Sequence, residues 1–281
     1  MNFKFYNDVS FKVSDLITKS YSTSFSLAIN VFEKELRESI SSIYGYVRLA
    51  DEIVDSFHEF EKQNLLNELR EDTYDAIRNG ISLNPIIQSF QTTVNKYDIS
   101  IDYINNFIDS MEMDLSNTYY DRDNYDKYIY GSAEVVGLMC LRVFCYKDDI
   151  LFNSLIPSAK ALGSAFQKVN FLRDIKSDLD ERGRIYLPGA SSSTEINNEN
   201  KLLLEEEIEK EFAEALSGIK RLPASSRLGV YSAYLYYYKL FTKIRSLKIN
   251  DLFKTRIRIS NFKKLSLLAK SLIDIKVIKA I

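Results

Sequence analysis

The chain has 281 residues, 46% of them hydrophobic, and its 37 basic and 39 acidic residues give a formal net charge of -2. This composition suffices for a sizeable core and excludes a disordered chain, and the balanced charge gives no sign of nucleic-acid binding. The single histidine, His58, excludes a His-rich zinc site and a paired Glu-x-x-His di-iron site. A Ser-His-Asp triad would have to use His58, which lies in a polar stretch, so we set it aside.

Helical periodicity dominates the chain, and only four Pro and nine Gly interrupt it. The apolar spacing predicts helices near residues 12–30, 36–58, 61–79, 85–97, 100–115, 123–146, 149–180, 201–219, 224–247 and 261–279. Loops are predicted at Asn79-Gly80, at SNTYYDRDN (116–124) and over 189–200. We expect one all-α domain, residues 1–281, with helices packed around a common centre.

The cysteines and the apolar runs indicate the cellular setting. Cys140 and Cys145 lie in an apolar run, which fits two small core residues in a reducing compartment. No charged-then-apolar signal opens the chain, and no run approaches the ~20 apolar residues of a membrane span. We therefore expect a soluble, cytosolic protein.

A first stripe of charge lies in YGYVRLADEIVD, residues 44–55. On a helix Tyr44, Arg48, Asp51 and Asp55 fall within an arc of roughly 60°. Apolar residues cover most of the remaining circumference, whereas an ordinary surface helix has the opposite proportions.

A second stripe lies in QKVNFLRDIKSDLDERGRIYLP, residues 167–188. Gln167, Asn170, Asp174 and Asp178 fall within roughly 80° on a helix, while Asp180 and Glu181 lie outside this arc and are predicted to be solvated. One such stripe is usually a solvated face. Two matching stripes, each an Asp-x-x-x-Asp on an apolar helix, favour an internal site.

Facing carboxylates repel each other unless a positive group lies between them. Ligands that are all oxygen suit a hard divalent cation, and Mg²⁺ typically combines one or two carboxylates with water and substrate phosphates. Arg48 and Arg173 could add charge-assisted hydrogen bonds to phosphate. The stripes therefore predict a Mg²⁺–diphosphate site, with Mn²⁺ as the alternative ion. No GxxxxGK[ST] or GxGxxG motif recommends a nucleotide.

With both stripes in view, the chain resembles the phytoene/squalene synthase family of head-to-head prenyl transferases over almost its whole length. The matching segments are STSF (22–25), YGYVRLADEIVD (44–55), DSMEMDL (109–115), YIYGSAEVVGLM (128–139), QKVNFLRDIKSDLDERGRIYLP (167–188), the Tyr-rich helix near Tyr237 and TRIRIS (255–260).

The resemblance implies an all-α isoprenoid synthase fold around a central cavity that holds two prenyl diphosphates. One diphosphate ionises, the other substrate's double bond captures the allylic cation, and a cyclopropylcarbinyl diphosphate results. This intermediate ionises and rearranges. Phytoene synthases then lose a proton, whereas squalene synthases reduce the last cation with NADPH.

The resemblance also implies roles for individual residues. It implies catalytic roles for Asp51, Asp55, Asp174, Asp178, Tyr44 and Arg48, with the four Asp residues and Asn170 holding Mg²⁺. It implies substrate contacts for Ser22, Ser24, Phe25, Arg48, Gln167, Asn170, Arg173, Tyr237 and Arg256. Ser22 and Ser24 equally fit simple N-capping, and Tyr236 or Tyr238 could be confused with Tyr237.

Two positions depart from the family pattern. Glu52 stands where many members have a second adjacent Asp, and it sits at the edge of the stripe as a weaker metal candidate. Glu134 stands in AEVVG, where Ala-Gly-Thr-Val-Gly is common, and adds bulk and charge near the expected cavity.

Several functions remain open. The first is phytoene synthase, which joins two geranylgeranyl diphosphates in carotenoid biosynthesis with downstream carotenoid enzymes as partners. The alternative is squalene or dehydrosqualene synthesis from two farnesyl diphosphates, with NADPH only for squalene. A non-catalytic assembly factor is disfavoured because the expected ligands are present, and a head-to-tail elongase because D-D-x-x-D motifs are absent.

Basic residues dominate from Lys254 to Ile281 and alternate with apolar ones at helical spacing. Such a helix can lie on an anionic membrane, which gives the hypothesis of peripheral contact on the cytosolic face. A helix docked on the domain is the favoured alternative.

Overall fold

The chain folds into packed helices in the computed structural model, which describes residues 2–190 and 192–278. The helices are α1 (Phe3–Tyr21), α2 (Thr23–Ile29), α3 (Lys34–Ser56), α4 (Lys62–Asn79), α5 (Pro85–Tyr97), α6 (Ile101–Ser116), α7 (Arg122–Ile129), α8 (Val135–Phe144), α9 (Asp149–Asp180), α10 (Asn198–Ile219), α11 (Ala224–Arg245), α12 (Ile249–Leu252) and α13 (Asn261–Ile278). Within these ranges the extended pairing is limited to an isolated bridge between Tyr119 and Ile185. The predicted all-α class is confirmed.

The first predicted helix, 12–30, is wrong in its start and in its continuity. α1 begins at Phe3, where the Asn2 side chain accepts a hydrogen bond from the Phe5 amide at 3.2 Å. The chain then breaks at Ser22, which is extended and whose hydroxyl accepts from the Phe25 amide, also at 3.2 Å. The serine therefore caps α2, as one of the two interpretations of Ser22 expected.

Other boundaries follow the expected turn chemistry more closely. α4 is followed by Gly80, which adopts the left-handed conformation with φ 72° that glycine tolerates. The predicted helix 123–146 contains a π-helical turn, Tyr130–Glu134, between α7 and α8. The predicted loop 189–200 is too long, because a capping box between Asn197 and Asn200 starts α10 at Asn198. Residue 279, the expected end of the last helix, lies outside the described residues.

The cysteines and the apolar helices are the features from which we expected a soluble, cytosolic protein. Cys140 and Cys145 are free thiols, and burial raises their pKa values to about 12 and about 11. In the described part of the chain, no helix combines the length and the apolar character needed to cross a bilayer.

The hydrophobic core is divided into two clusters. Helices α3, α5, α6 and α8 surround one, centred on Tyr46, Phe90 and Phe107. Helices α9, α10 and α11 surround the other, which includes Leu172 and Phe241. Because α3 belongs to the first cluster and α9 to the second, the two acidic stripes come from different cores.

Helix α9 packs closely against α8 and the π-helical turn before it, and glycine residues make this close approach possible. A Cβ atom at Gly163 would lie 2.5 Å from the carbonyl oxygen of Ala133, and one at Gly137 would lie 2.8 Å from that of Ala159. The neighbouring Glu134 carboxylate pairs with Lys160 at 2.9 Å, so its charge is compensated across the same contact. α8 also packs on α3, and this close approach therefore helps to set how α9 lies relative to α3.

We predict that Gly163→Ala destabilises the fold by about 1–3 kcal/mol, because its methyl group would overlap backbone that cannot rotate away. Urea unfolding measures the change. Asn153→Ala, on the exposed side of the same helix, is the control and should change stability by less than about 0.5 kcal/mol. Equal stability of Gly163→Ala and the wild type would contradict the close packing.

Candidate functional site

The polar stripe of α3 lies at the edge of the first core. Tyr44, Arg48, Asp51 and Asp55 are partly buried, while Ala50 and other apolar residues of the same helix are buried. Phe25 of α2 stacks on Tyr44 with ring centroids 5.1 Å apart. The stripe is therefore partly enclosed by neighbouring side chains at the edge of this core.

Arg48 is held within its own helix and by α1. Its guanidinium contacts Glu52 and lies 3.9 Å from Asp51, and it sits over the Tyr21 ring at 4.3 Å. Glu52 is thus the partner of Arg48, so the residue that departs from the family pattern balances a cation of the stripe.

The stripe of α9 carries its own arginine pairs. Arg173 Nε donates to Asp174 Oδ1 at 2.9 Å, and Arg256 Nε donates to the same oxygen at 2.7 Å. Burial raises the pKa of Asp174, but the two guanidinium groups outweigh burial and hold that pKa below its usual value. Gln167 Oε1 accepts from Asn170 Nδ2 at 3.4 Å. Asp180 and Glu181 are exposed, as predicted.

Arg182 joins the two stripes. Its Nε lies 3.1 Å from Asp55 Oδ2 on α3, and its Nη1 donates to Asp178 Oδ1 on α9 at 2.8 Å. One side chain therefore spans the gap between acids from the two cores, and this contact is direct evidence that the stripes face each other.

Arg184 reinforces this junction from the buried side. Its Nη1 donates to Asp55 Oδ1 at 2.8 Å, and its Nη2 donates to the Val54 carbonyl at 3.3 Å. The main chain fixes its position, since the Arg184 amide donates to the Asp178 carbonyl and the Ile185 amide to the Thr118 carbonyl, both at 2.9 Å.

Behind Arg184 lies a buried carboxylate, Asp114. It accepts hydrogen bonds from the hydroxyls of Tyr120 and Tyr128 at 2.8 Å and of Tyr186 at 2.7 Å, and it lies 3.6 Å from Arg184. The paired and fully hydrogen-bonded arrangement makes burial of this charge tolerable.

Two carboxyl groups of the stripes resist ionisation. Burial, followed by the charges of Asp55 and Asp114, raises the pKa of Asp51 to about 7. Burial, followed by the charge of Asp174, raises the pKa of Asp178 to about 7. Asp178 is the more deeply enclosed, with 11% of its side chain accessible against 34% for Asp51.

Two further predicted contacts, Tyr237 and Ser24, come from α11 and α2. Tyr237 stacks on Phe166 of α9 with centroids 3.9 Å apart. Burial raises the pKa of Tyr237, and the nearby Arg173 opposes this effect. Tyr238 points elsewhere, towards Glu209, whereas Tyr236 and Tyr237 both lie near Arg173, and Tyr237 also lies near Asn170. Ser24 lies partly buried in the first turn of α2.

The donor set suits a hard cation but is not arranged around one. All candidate ligands offer oxygen, and Asn170 Oδ1 is buried with no hydrogen-bond partner among the described residues. Across residues 2–190 and 192–278, no three Asp, Glu, His or Cys side chains are close enough together to hold a metal. The residues therefore fit Mg²⁺ in chemistry, while Arg182 occupies the space between Asp55 and Asp178.

Sequence reasoning did not assign Arg182, Arg184 or Asp114 to the site. Each lies in a segment that carried the family resemblance, either the Gly-Arg-Ile-Tyr-Leu-Pro tail or DSMEMDL. That resemblance was the available signal, because the contacts join residues far apart in the chain.

Comparison with known proteins identifies relatives of this site and fold. The family model for squalene/phytoene synthase matches residues 18–263. Phytoene synthase 1 of Solanum lycopersicum is 29% identical over 280 residues, covering 92% of this chain and 67% of that protein. The 15-cis-phytoene synthase of Pantoea ananas is 28% identical over 247 residues, covering 79% of this chain and 78% of that protein.

Solved structures share the architecture. A dehydrosqualene synthase superposes with a TM-score of 0.84 at 21% identity, covering 98% of this chain and 99% of that one. A squalene synthase from Alicyclobacillus acidocaldarius gives 0.73 at 21% identity, with coverages of 85% and 94%. The chain therefore has the isoprenoid synthase fold.

The raised pKa values predict how stability depends on pH in the metal-free protein. Because the folded pKa of Asp178 is about 7 against 3.8 for an ordinary Asp, the folded state keeps a proton that the unfolded chain releases. This contribution is fully present below about pH 4 and is lost as pH rises through 7. Urea unfolding in EDTA at pH 5.5 and pH 7.5 should show a smaller loss of stability in Asp178→Asn than in the wild type.

Asp109→Asn, an exposed carboxylate of α6, is the control for that comparison and should leave the wild-type pH dependence in place. An unchanged pH dependence in Asp178→Asn would rule out the raised pKa.

Proposed function

This chain belongs to the squalene/phytoene synthase family, and from that premise we propose that it is a phytoene synthase, joining two geranylgeranyl diphosphates without a reductant. As a prenyltransferase of that family it carries out head-to-head condensation. The names of its relatives, phytoene synthases from plants and from Pantoea ananas, favour the C20 substrate.

The observation that carries the proposal is the contact of Arg182 with both Asp55 and Asp178. This contact brings the two stripes, each with acidic residues and arginine, together at one place. That place can hold a divalent cation and the anion bound to it. Mg²⁺, when bound, would neutralise charge developing on the leaving diphosphate. Asp51, Asp55, Asn170, Asp174 and Asp178 are the residues that would hold it.

The chain's own residues supply the rest of the chemistry. Arg48, Arg173 and Arg256 offer guanidinium groups that stabilise the diphosphate as its negative charge grows. Ser22, Ser24, Gln167 and the hydroxyls of Tyr44 and Tyr237 would orient the substrate. The stacked pairs Phe25–Tyr44 and Phe166–Tyr237 border this region with ring faces, which tolerate a nearby carbocation.

We also propose that residues 1–281 work as one domain. The site draws on Ser22 near the start and Arg256 near the end, and Lys264 of α13 donates to Thr23 of α2 at 2.7 Å.

A product assay tests the substrate. We expect Mg²⁺ and geranylgeranyl diphosphate to yield a C40 hydrocarbon, identified by mass, with or without NADPH. Asp174→Asn should lose activity about a hundredfold or more, because it removes a ligand and unbalances Arg173 and Arg256, whereas Asp109→Asn should keep it. A C30 product from farnesyl diphosphate would instead identify a squalene or dehydrosqualene synthase, and turnover of neither substrate would contradict the enzymatic proposal.

A second proposal concerns the surface of α13. The helix is docked, since Ser271 and Ser232 of α11 are hydrogen-bonded at 2.8 Å. Its outward side exposes Phe262, Leu265 and Ile273. We propose peripheral contact of this side with the cytosolic face of an anionic membrane, through which a hydrocarbon product would reach downstream carotenoid enzymes.

Flotation with phosphatidylglycerol-containing liposomes at low salt tests this contact. We expect the wild type to float and a Phe262→Ser, Leu265→Ser variant to remain at the bottom. Leu83→Ser, an exposed leucine far along the chain from α13, should float like the wild type. Absence of wild-type flotation would remove the proposal.

A further inference from the structure

We propose that Arg182 is a displaceable counter-ion, which links Asp55 and Asp178 in the metal-free protein and leaves them when Mg²⁺ binds. This inference rests on the proposed function, because it takes the space between the two stripes to be the metal site. It gives Arg182 a role in positioning Asp55 and Asp178 for Mg²⁺, which a purely structural salt bridge would not have.

The oxygens of Asp55 are fully engaged before any metal arrives. Oδ1 accepts from Arg184 at 2.8 Å and Oδ2 lies 3.1 Å from Arg182. Asp178 Oδ1 likewise accepts from Arg182 at 2.8 Å. A divalent cation that binds both carboxylates meets a guanidinium in the same place, and two cations a few ångströms apart repel each other. One arginine must therefore move.

Arg184 is the wrong candidate to move. Only 8% of its side chain is accessible, and besides Asp55 it contacts Asp114, Tyr186 and the Val54 carbonyl. Moving it would strip the buried Asp114 of its counter-ion, which is costly. Arg182 has 27% of its side chain accessible, and the hydrogen bonds and ion pairs of its side chain are those with Asp55 and Asp178.

The surroundings of Arg182 give it somewhere to go. It lies beyond the end of α9, next to Gly183, whose φ is 65° and around which a Cβ atom would meet nothing within 4 Å. It also lines a cavity of about 280 Å³ whose wall includes Asn117, Thr118 and Glu181. These groups offer oxygen acceptors for a guanidinium that has left the carboxylates.

The exchange keeps the site electrically balanced in both states. In the metal-free state Arg182 offsets the repulsion between Asp55 and Asp178, and in the loaded state Mg²⁺ does so. The released guanidinium would stay near Asp55 and Asp114, because both carboxylates line the same cavity.

Thermal unfolding during a Mg²⁺ titration, without substrate, tests the exchange. In wild type, Mg²⁺ must compete with Arg182. In Arg182→Gln this competitor is gone, so the melting temperature without metal should fall. The Mg²⁺ midpoint, meaning the dissociation constant fitted to the rise in melting temperature, should drop by about tenfold, the factor expected for one charge-assisted hydrogen bond. Arg182→Lys keeps the charge with fewer donors and should lie between the two.

Arg70→Gln is the matched control. Arg70 also bridges two carboxylates, Asp109 at 2.8 Å and Glu112 at 3.2 Å, and has a similar accessibility of 23%. Its loss makes the same change in net charge and should leave the Mg²⁺ midpoint unchanged.

The possible results distinguish failure of the exchange from failure of the proposed metal site. A lower midpoint in Arg182→Gln, or a response to Mg²⁺ that appears only in this variant, supports the exchange. An equal or higher midpoint, with a normal wild-type response, overturns the exchange and leaves the proposed function standing. No response in any protein removes the metal site itself, and the exchange with it. If Arg182→Gln fails to fold, the midpoint of Arg182→Lys gives the same decision.

Discussion

Guanidinium groups placed between carboxylates are the constraint on which the site depends. Asp55 and Asp178 belong to helices of different hydrophobic cores, and the two carboxylates repel each other whenever both are ionised. Arg182 and Arg184 turn this repulsion into attraction. The turn that follows α9 therefore does more than end a helix, because its two arginines couple α9 to α3.

A second set of contacts fixes Arg184 in place and leaves Arg182 less constrained. Asp114 holds Arg184 through charge, three tyrosine hydroxyls hold Asp114, and the backbone bridge between Tyr119 and Ile185 holds the strand-like tail in place. Buried polar groups of this kind are acceptable only when every member has a partner. The rigid side of the site is thus Arg184 and its support, and the adjustable side is Arg182.

Sequence periodicity predicted the two acidic stripes and did not predict the contact that joins them. Asp51, Asp55, Asp174 and Asp178 stand out because an acid every fourth residue on an apolar helix violates ordinary amphipathic patterning. Arg182 and Arg184 lie in a turn, where no period applies, and their partners on α3 and α6 are distant in sequence. The break at Ser22 escaped a count of apolar residues because it depends on a side-chain cap. Glu52 was read as a metal candidate from its position, but its partner, Arg48, depends on rotamers that periodicity does not specify.

The fold and the choice of substrate are separate matters. Structures at 21% identity share the architecture, while their names include dehydrosqualene and squalene synthases, and fold alone does not fix function. The prenyl length that an enzyme accepts depends on how far its apolar side chains let the tail extend. A difference of one methylene group gives little discrimination between substrates. The acids and arginines that we propose for the site would act on the diphosphate, which is common to C15 and C20 substrates.

We propose that the two acidic stripes form one metal–diphosphate site. The most direct measurement is anomalous diffraction from crystals grown with Mn²⁺ and a thiolodiphosphate analogue of the substrate, whose carbon–sulfur bond resists cleavage. We expect metal peaks between Asp51 or Asp55 on one side and Asn170, Asp174 or Asp178 on the other, with the diphosphate bound to the same ions. Metal and diphosphate bound elsewhere, with Arg182 still between Asp55 and Asp178, would contradict this proposal.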